Sequence, residues 1–222
     1  TLVDPQRGLE THVRDVGFPL APEDLERMAR KLAILAGKGA YVLFAGSLPP
    51  GMDADAFAGL LEISGAKGAY VAVDSSGPGL DAVRQAKNLW LVKPNRAELA
   101  EIAGRDAAED EGDLRATAES LCGRIEQVAV TLGPDGAYLF CRQGAWRARP
   151  HIAPEAVMTT VGSGDAFLAG FVQAHAADRT PPECLRAGVA CGTASTLQMR
   201  AGLVNPYDVK ACLDNVDVRP LK

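Results

Sequence analysis

The chain has 222 residues, of which 47% are hydrophobic and 23% charged, with a formal net charge of −5. This composition allows one sizeable core and excludes a low-complexity or disordered chain. The acidic balance argues against a broad basic face for nucleic acid or an anionic membrane, and no apolar run is long enough to cross a bilayer. Five cysteines without a CxxC pair, and only three histidines, favour reduced thiols over a zinc site and therefore a cytoplasmic location.

The first residues predict a β hairpin. Residues 1–4 are extended in pattern, a Pro-Gln-Arg-Gly turn follows, and residues 9–16 alternate apolar and polar side chains. Because the chain begins with Thr1 and already in a strand, we expect further residues to precede it. Pro22, followed by two acidic residues and a helical apolar spacing, predicts the start of a helix.

From residue 41 onward, short apolar strands alternate with helical patterns. The predicted strands are residues 41–45, 69–73, 89–92 and 128–132, and the predicted helices are residues 54–63, 80–86, 96–103 and 114–125. This alternation indicates an α/β fold with a parallel sheet covered on both faces. A hairpin at 138–149 and helices at 164–177, at 182–199 and from about 206 complete the chain. Ligands in such a fold bind at the carboxyl ends of the strands.

The strongest functional signal is Gly162-Ser163-Gly164-Asp165. Two glycines separated by one small residue, before an alanine-rich helix, predict a tight turn whose amides can bind an anion. Asp165 falls in the first helical turn, where it would be held in its charged form and could accept a proton from a hydroxyl. The segment alone is equally compatible with a simple turn and a helix cap.

A second signal follows the strand at 89–92. Asn95 and Glu98 are three residues apart on one helix face, directly after Lys93 and Pro94. An amide and a carboxylate at a helix N-terminus can position hydrated Mg²⁺ beside phosphates. A helix-capping pair is the alternative, and the residues alone leave it open.

Together these segments resemble the PfkB, or ribokinase-type, carbohydrate kinases. Residues 162–170 are similar to the C-terminal signature of that family, and the other matches follow strands in the family's order at residues 46–51, 74–77, 93–99 and 131–137. The resemblance covers nearly the whole chain. It implies a ribokinase-like fold with a mostly parallel sheet, helices on both faces and the remnant of a small β lid. Residues 1–20 would form that lid, and residues 21–222 the nucleotide-binding and catalytic domain.

The resemblance also implies ATP and Mg²⁺ as cofactors and assigns roles to individual residues. Asp165 would be the catalytic base, and Gly162, Ser163 and Gly164 would stabilise the transferring group. Asn95 and Glu98 would hold the metal, and Ser47 would contact the acceptor together with Asp165. The nucleotide would be bound by Lys93, Asn95, Thr131, Gly133, Gly136, Gly164 and Gly192. For Gly192 and its small neighbours, close packing of another helix is the alternative.

Within the family, the segments most resemble the hexose-phosphate branch. That likeness implies conversion of fructose 1-phosphate to fructose 1,6-bisphosphate, ahead of the phosphorylation of tagatose 6-phosphate or fructose 6-phosphate, and a homodimer of the full-length protein. The family's N-terminal glycine-rich sugar-binding motif is absent, so a catalytically inactive nucleotide-binding fragment is the alternative. A hydrolase using Ser75 or Ser163 is disfavoured because no Gly-x-Ser-x-Gly elbow surrounds either serine. A Walker-type phosphate loop is also absent from the sequence.

Overall fold

A computed structural model describes residues 2–4, 9–11, 17–106 and 110–221. Strands β1 (Leu2–Asp4) and β2 (Leu9–Thr11) pair antiparallel in a two-stranded sheet. This pairing agrees with the predicted hairpin, whose turn at residues 5–8 and continuation at residues 12–16 lie outside the described residues.

The remaining strands are β3 (Tyr41–Ala45), β4 (Tyr70–Asp74), β5 (Leu89–Val92), β6 (Ile125–Thr131), β7 (Ala137–Cys141), β8 (Gly144–Pro150) and β9 (Val216–Pro220). They form a seven-stranded sheet in chain order. The pairs β3–β4, β4–β5 and β5–β6 are parallel, and β8–β9 is antiparallel. The predicted α/β class with a mostly parallel sheet is therefore confirmed.

The helices are α1 (Pro22–Leu35), α2 (Ala54–Gly65), α3 (Pro78–Gln85), α4 (Arg96–Ala103), α5 (Glu111–Leu121), α6 (Ser163–Ala176), α7 (Pro181–Thr196) and α8 (Pro206–Asp214). Short 3₁₀ turns occupy Gly133–Asp135 and Pro154–Ala156. Within the described part of the chain, none of these helices combines the length and hydropathy needed to span a membrane.

The chain divides into two compact units. The N-terminal unit comprises Val16–Thr131 and Phe140–Gly144, and holds α1 to α5 with the parallel strands. The C-terminal unit comprises Thr1–Asp15, Leu132–Leu139 and Ala145–Lys222, and holds α6, α7 and α8.

Burial in the N-terminal unit is uneven. All four residues of β5 are buried, as are the middle residues of β4, so both faces of these strands are covered. In contrast, β3 lies at the sheet edge with the side chain of Leu43 exposed, and α1 has no buried residue. The largest apolar exposure on α1 is at its C-terminal end, where Ile34 and Leu35 are more than two-thirds exposed.

Several boundaries differ from the sequence prediction, and both ends of α5 and the start of β6 differ by three or four residues. Helix α5 begins at Glu111 because the side chain of Asp110 accepts a hydrogen bond from the amide of Asp113 at 2.8 Å. It ends at Leu121, so Ile125, predicted to end the helix, begins β6 instead. Strand β9, which pairs antiparallel with β8 along its whole length, was not predicted from the sequence.

Candidate active site

Helix α6 begins with the predicted glycine turn. Gly162 is its N-cap in the left-handed conformation, with φ of 79°, and Asp165 lies exposed in the first turn. No side chain caps the helix, and Asp165 forms no hydrogen bond or ion pair within the described residues. The capping alternative for Asp165 is therefore not realised, and its carboxylate is available to a ligand.

The amides around Asp165 are only partly used. The Ser163 amide donates to the carbonyl oxygen of Thr160 at 3.2 Å, and the amide of Ala166 donates to Gly162 at 3.0 Å. Those of Gly162, Gly164 and Asp165 have no acceptor in the part of the chain that the structure describes. This corrects one detail of the prediction: the free donors are those of Gly162, Gly164 and Asp165, because the Ser163 amide already closes the turn.

Close packing holds this turn in place. A Cβ on Gly162 would clash with the backbone nitrogen of Gly202 and lie 2.7 Å from its Cα. On the other side, a Cβ on Gly192 of α7 would lie 3.1 Å from the carbonyl oxygen of Ser163 and 3.4 Å from Cβ of Phe167. Gly192 is thus buried against α6, and its small size serves helix packing. The helix-packing alternative is therefore realised for Gly192, and its contact with the nucleotide stays a prediction.

The predicted nucleotide turn in the C-terminal unit is the 3₁₀ turn Gly133–Asp135. Both Gly133 and Gly136 have positive φ, and the amide of Leu132 donates to the carbonyl of Gly136 at 2.8 Å. A Cβ on Gly136 would clash with the carbonyl oxygen of Ala148, so only glycine fits there. Gly133 is exposed with open space beside it, which leaves its backbone accessible to a ligand.

In the N-terminal unit, Asn95 and Glu98 form a capping box at the start of α4. The amide of Asn95 donates to Oε2 of Glu98 at 2.8 Å, and the amide of Glu98 donates to Oδ1 of Asn95 at 3.0 Å. The capping alternative is therefore realised. It leaves Oε1 of Glu98 and Nδ2 of Asn95 without a partner among the described residues, so the same pair can still contact a ligand.

The donor set at this position suits a hydrated Mg²⁺ and not a protein-only metal cage. Within the described residues, no group of three or more His, Cys, Asp or Glu side chains could hold a metal ion. Magnesium is typically bound by one or two carboxylates, with water and substrate phosphates as the other ligands. Glu98 with Asn95 fits that pattern.

Lys93 lies at the carboxyl end of β5 and is buried. Its Nζ forms an ion pair with Oδ2 of Asp74 at 2.9 Å, and only 7% of its side chain is exposed. Sequence reasoning expected Lys93 near the nucleotide but assigned no role to Asp74. The available signal was an acidic residue at the end of one apolar strand and a cation directly after the next strand.

The remaining predicted side chains of this unit also follow strands. Ser47 is exposed after β3, and Thr131 ends β6 with its amide donating to the carbonyl of Pro94 at 2.9 Å. Ser75 is buried, and its hydroxyl donates to the carbonyl of Gly46 at 2.8 Å. Because that hydroxyl is committed to the backbone, the structure does not favour Ser75 as a nucleophile.

A helix N-terminus with unpaired amides beside a free carboxylate can bind a phosphate group and accept a proton next to it, which suits a phosphotransferase that acts on a hydroxyl compound. Residues 9–207 match the pfkB family carbohydrate kinases. The chain belongs to that family, which confirms the resemblance and the enzyme class expected from the sequence.

The chain is similar to the 1-phosphofructokinase of Rhodobacter capsulatus, with 34% identity over 99% of this chain and 69% of that protein. It is also similar to the ATP-dependent 6-phosphofructokinase isozyme 2 of Escherichia coli strain K12, with 31% identity over 85% of this chain and 60% of that protein. Among solved structures, phosphofructokinase-2 from Escherichia coli in complex with potassium has a TM-score of 0.87 and 27% identity over 94% of this chain and 67% of that one. The ribokinase-like fold is thereby confirmed.

Proposed function

We propose that the chain carries the catalytic machinery for phosphoryl transfer from MgATP to a hydroxyl of a hexose phosphate. Fructose 1-phosphate is the first choice of acceptor, giving fructose 1,6-bisphosphate. The observation that carries the proposal is the first turn of α6, where Asp165 is exposed and unpaired next to the free amides of Gly162 and Gly164. The relatives named 1-phosphofructokinase and 6-phosphofructokinase support the acceptor class.

In this proposal Asp165 is the general base. Its carboxylate accepts the proton of the acceptor hydroxyl while the hydroxyl oxygen bonds to the γ-phosphorus and the bond to ADP breaks. The free amides and the positive end of the helix dipole favour an anionic phosphoryl group beside this carboxylate. A positioned base contributes about 10²–10⁴ to the rate.

The free amides of Gly162, Gly164 and Asp165 would stabilise charge on the transferring phosphoryl group. Each well-aimed donor of this kind is worth about 10²–10³ in rate. They need no reorganisation during the reaction, because Gly202 and α7 fix the turn on either side.

The proposed nucleotide contacts are in part backbone contacts. The turn at Gly133 and Gly136 offers its main chain to ATP, and Thr131 precedes it. When bound, Mg²⁺ would neutralise phosphate charge. Glu98 would orient it through Oε1, and Asn95 through the remaining lone pair of Oδ1, because the free Nδ2 of Asn95 is a donor and cannot ligate a cation. The buried Lys93 would act as a fixed positive charge near the phosphates, because its ammonium is already held by Asp74.

The acceptor is settled by ranking kcat/KM for the chain with MgATP and fructose 1-phosphate, tagatose 6-phosphate, fructose 6-phosphate and the free sugars. We expect sugar-dependent ADP release, highest with fructose 1-phosphate. A higher value for either 6-phosphate would overturn the acceptor choice and keep the kinase. Calorimetric ATP binding should be measured on the same preparation, because binding without ADP release for any sugar identifies the noncatalytic alternative.

We further propose that the whole protein assembles as a homodimer through the lid that β1 and β2 represent. Support comes only from the family resemblance of this hairpin. Sedimentation velocity of the whole protein with and without the segment of residues 1–20 tests it: a loss of the dimer on deletion is expected, and an unchanged species would contradict it.

A further inference from the structure

A polar cavity lies in the N-terminal unit, and its lining includes none of the residues proposed for catalysis or nucleotide binding. Its volume is about 380 Å³, and its lining includes Asn88, Cys122, Arg124, Glu126, Arg142 and Gln143. The lining also includes Leu89 and Ile125, the first residues of β5 and β6. Lys93 and Thr131 are at the carboxyl ends of the same two strands. The cavity therefore lies at the amino-terminal ends of the parallel strands.

Arg124 is a fixed element of this cavity. Its Nη1 donates to the carbonyl oxygens of Val83 at 2.6 Å, Arg84 at 2.7 Å and Ala86 at 3.3 Å. These three acceptors hold the guanidinium at the end of α3, and Nε and Nη2 are left without an acceptor among the described residues. Burial, and then the neighbouring charge of Arg84, lower the pKa of Arg124. Among the described residues, Arg124 forms no ion pair with a carboxylate.

The rest of the lining adds to the positive charge. Arg142 is exposed in the turn between β7 and β8 and has no ion-pair partner in the described part of the chain. Glu126 is the single carboxylate of the lining, so two guanidinium groups face one acid. Asn88 and Gln143 contribute neutral amides that can bind hydroxyl groups.

We propose that this cavity binds a small phosphate monoester. Arg124 and Arg142 hold the phosphate, since the planar guanidinium donates paired hydrogen bonds to phosphate oxygens. Glu126 and Gln143 bind hydroxyl groups on the rest of the molecule. A volume of about 380 Å³ falls within the range of small-molecule sites. The assignment is independent of the proposed phosphoryl transfer.

Cys122 provides a readout that is confined to the cavity. Its thiol is half-buried in the lining, and alkylation by the neutral reagent N-ethylmaleimide can be followed by peptide mass spectrometry. We expect glycerol 3-phosphate to slow alkylation of Cys122 several-fold and to leave Cys212 unchanged, because Cys212 lies in the C-terminal unit outside this lining. Inorganic phosphate should protect at higher concentrations, and glycerol should not protect.

An Arg142→Gln variant tests the phosphate contact without touching the proposed catalytic residues or the α3 carbonyls. Because a charged hydrogen-bonding partner is lost, the glycerol 3-phosphate concentration needed for half-maximal protection of Cys122 should rise about tenfold. Arg105→Gln is the matched control, since Arg105 is an exposed arginine outside the lining, and it should bind like the parent chain.

Three results would overturn the proposal. They are no protection of Cys122 by glycerol 3-phosphate, equal protection in the parent chain and Arg142→Gln, and protection by inorganic phosphate at the same or lower concentration than the monoester.

Discussion

Replacing Gly162 by alanine tests whether the turn before α6 depends on its tight backbone contact. The new Cβ faces two penalties. A left-handed alanine costs about 1–2 kcal/mol, and the clash with the Gly202 backbone adds an overpacking term of about 1–3 kcal/mol. The expected loss in the free energy of unfolding is therefore about 2–5 kcal/mol.

Gly202→Ala is the matched control. Gly202 also has positive φ, 67°, but nothing lies within 4 Å of its Cβ position. Only the conformational penalty applies, so this variant should lose about 1–2 kcal/mol. Both variants add one methyl group to a glycine of the C-terminal unit. The difference between their free energies of unfolding therefore measures the contact between Gly162 and the Gly202 backbone.

Urea denaturation of the parent chain and both variants gives the comparison, with the slope of each transition showing whether unfolding exposes the same surface. Gly162→Ala should have the clearly lower free energy of unfolding. Equal losses in the two variants would refute the reasoning, because the contact between the turn and Gly202 would then carry no energy.

Three further predictions concern the other side chains. Lys93→Met should lower the free energy of unfolding in urea by about 3–5 kcal/mol, because the Asp74 carboxylate loses its ion-pair partner Lys93. Adding Asp74→Asn should recover part of that loss. Additive losses in the double variant would contradict the pairing. Glu98→Gln keeps an oxygen that can accept the hydrogen bond from the Asn95 amide, so the free energy of unfolding should stay unchanged. The Mg²⁺ concentration needed for half-maximal activity should rise about tenfold. An unchanged Mg²⁺ requirement would remove Glu98 from the metal site. Burial raises the pKa of the half-buried Cys122 to about 11. About one thiol in a thousand is therefore ionised at pH 8, and the rate of its alkylation without added phosphate should climb until pH 11; a plateau near pH 9 would contradict this.

The sequence predicted those features that depend on local pattern. The strands at Tyr41–Ala45 and Leu89–Val92 and the helix at Arg96–Ala103 have the predicted bounds, because apolar runs and helix starts are written in neighbouring residues. The capping box of Asn95 and Glu98 was likewise visible as one of two alternatives.

Features that depend on distant residues were beyond the sequence. The pairing of Lys93 with Asp74 joins two strand ends, and the contact of Gly162 with Gly202 joins residues forty positions apart. Gly192 was ambiguous for the same reason, since only the position of α6 shows which surface it covers. The use of the Ser163 amide within the turn required the backbone geometry.

The central claim, that Asp165 is the base for phosphoryl transfer, is tested most directly by Asp165→Asn. Asparagine keeps the size and most hydrogen-bonding capacity but cannot take the proton. ATP affinity by calorimetry should be unchanged, and kcat with the best acceptor should fall about 10²–10⁴-fold. Asp178→Asn, an exposed aspartate at the far end of α6, should keep both values. A kcat close to that of the parent chain in Asp165→Asn would contradict the account.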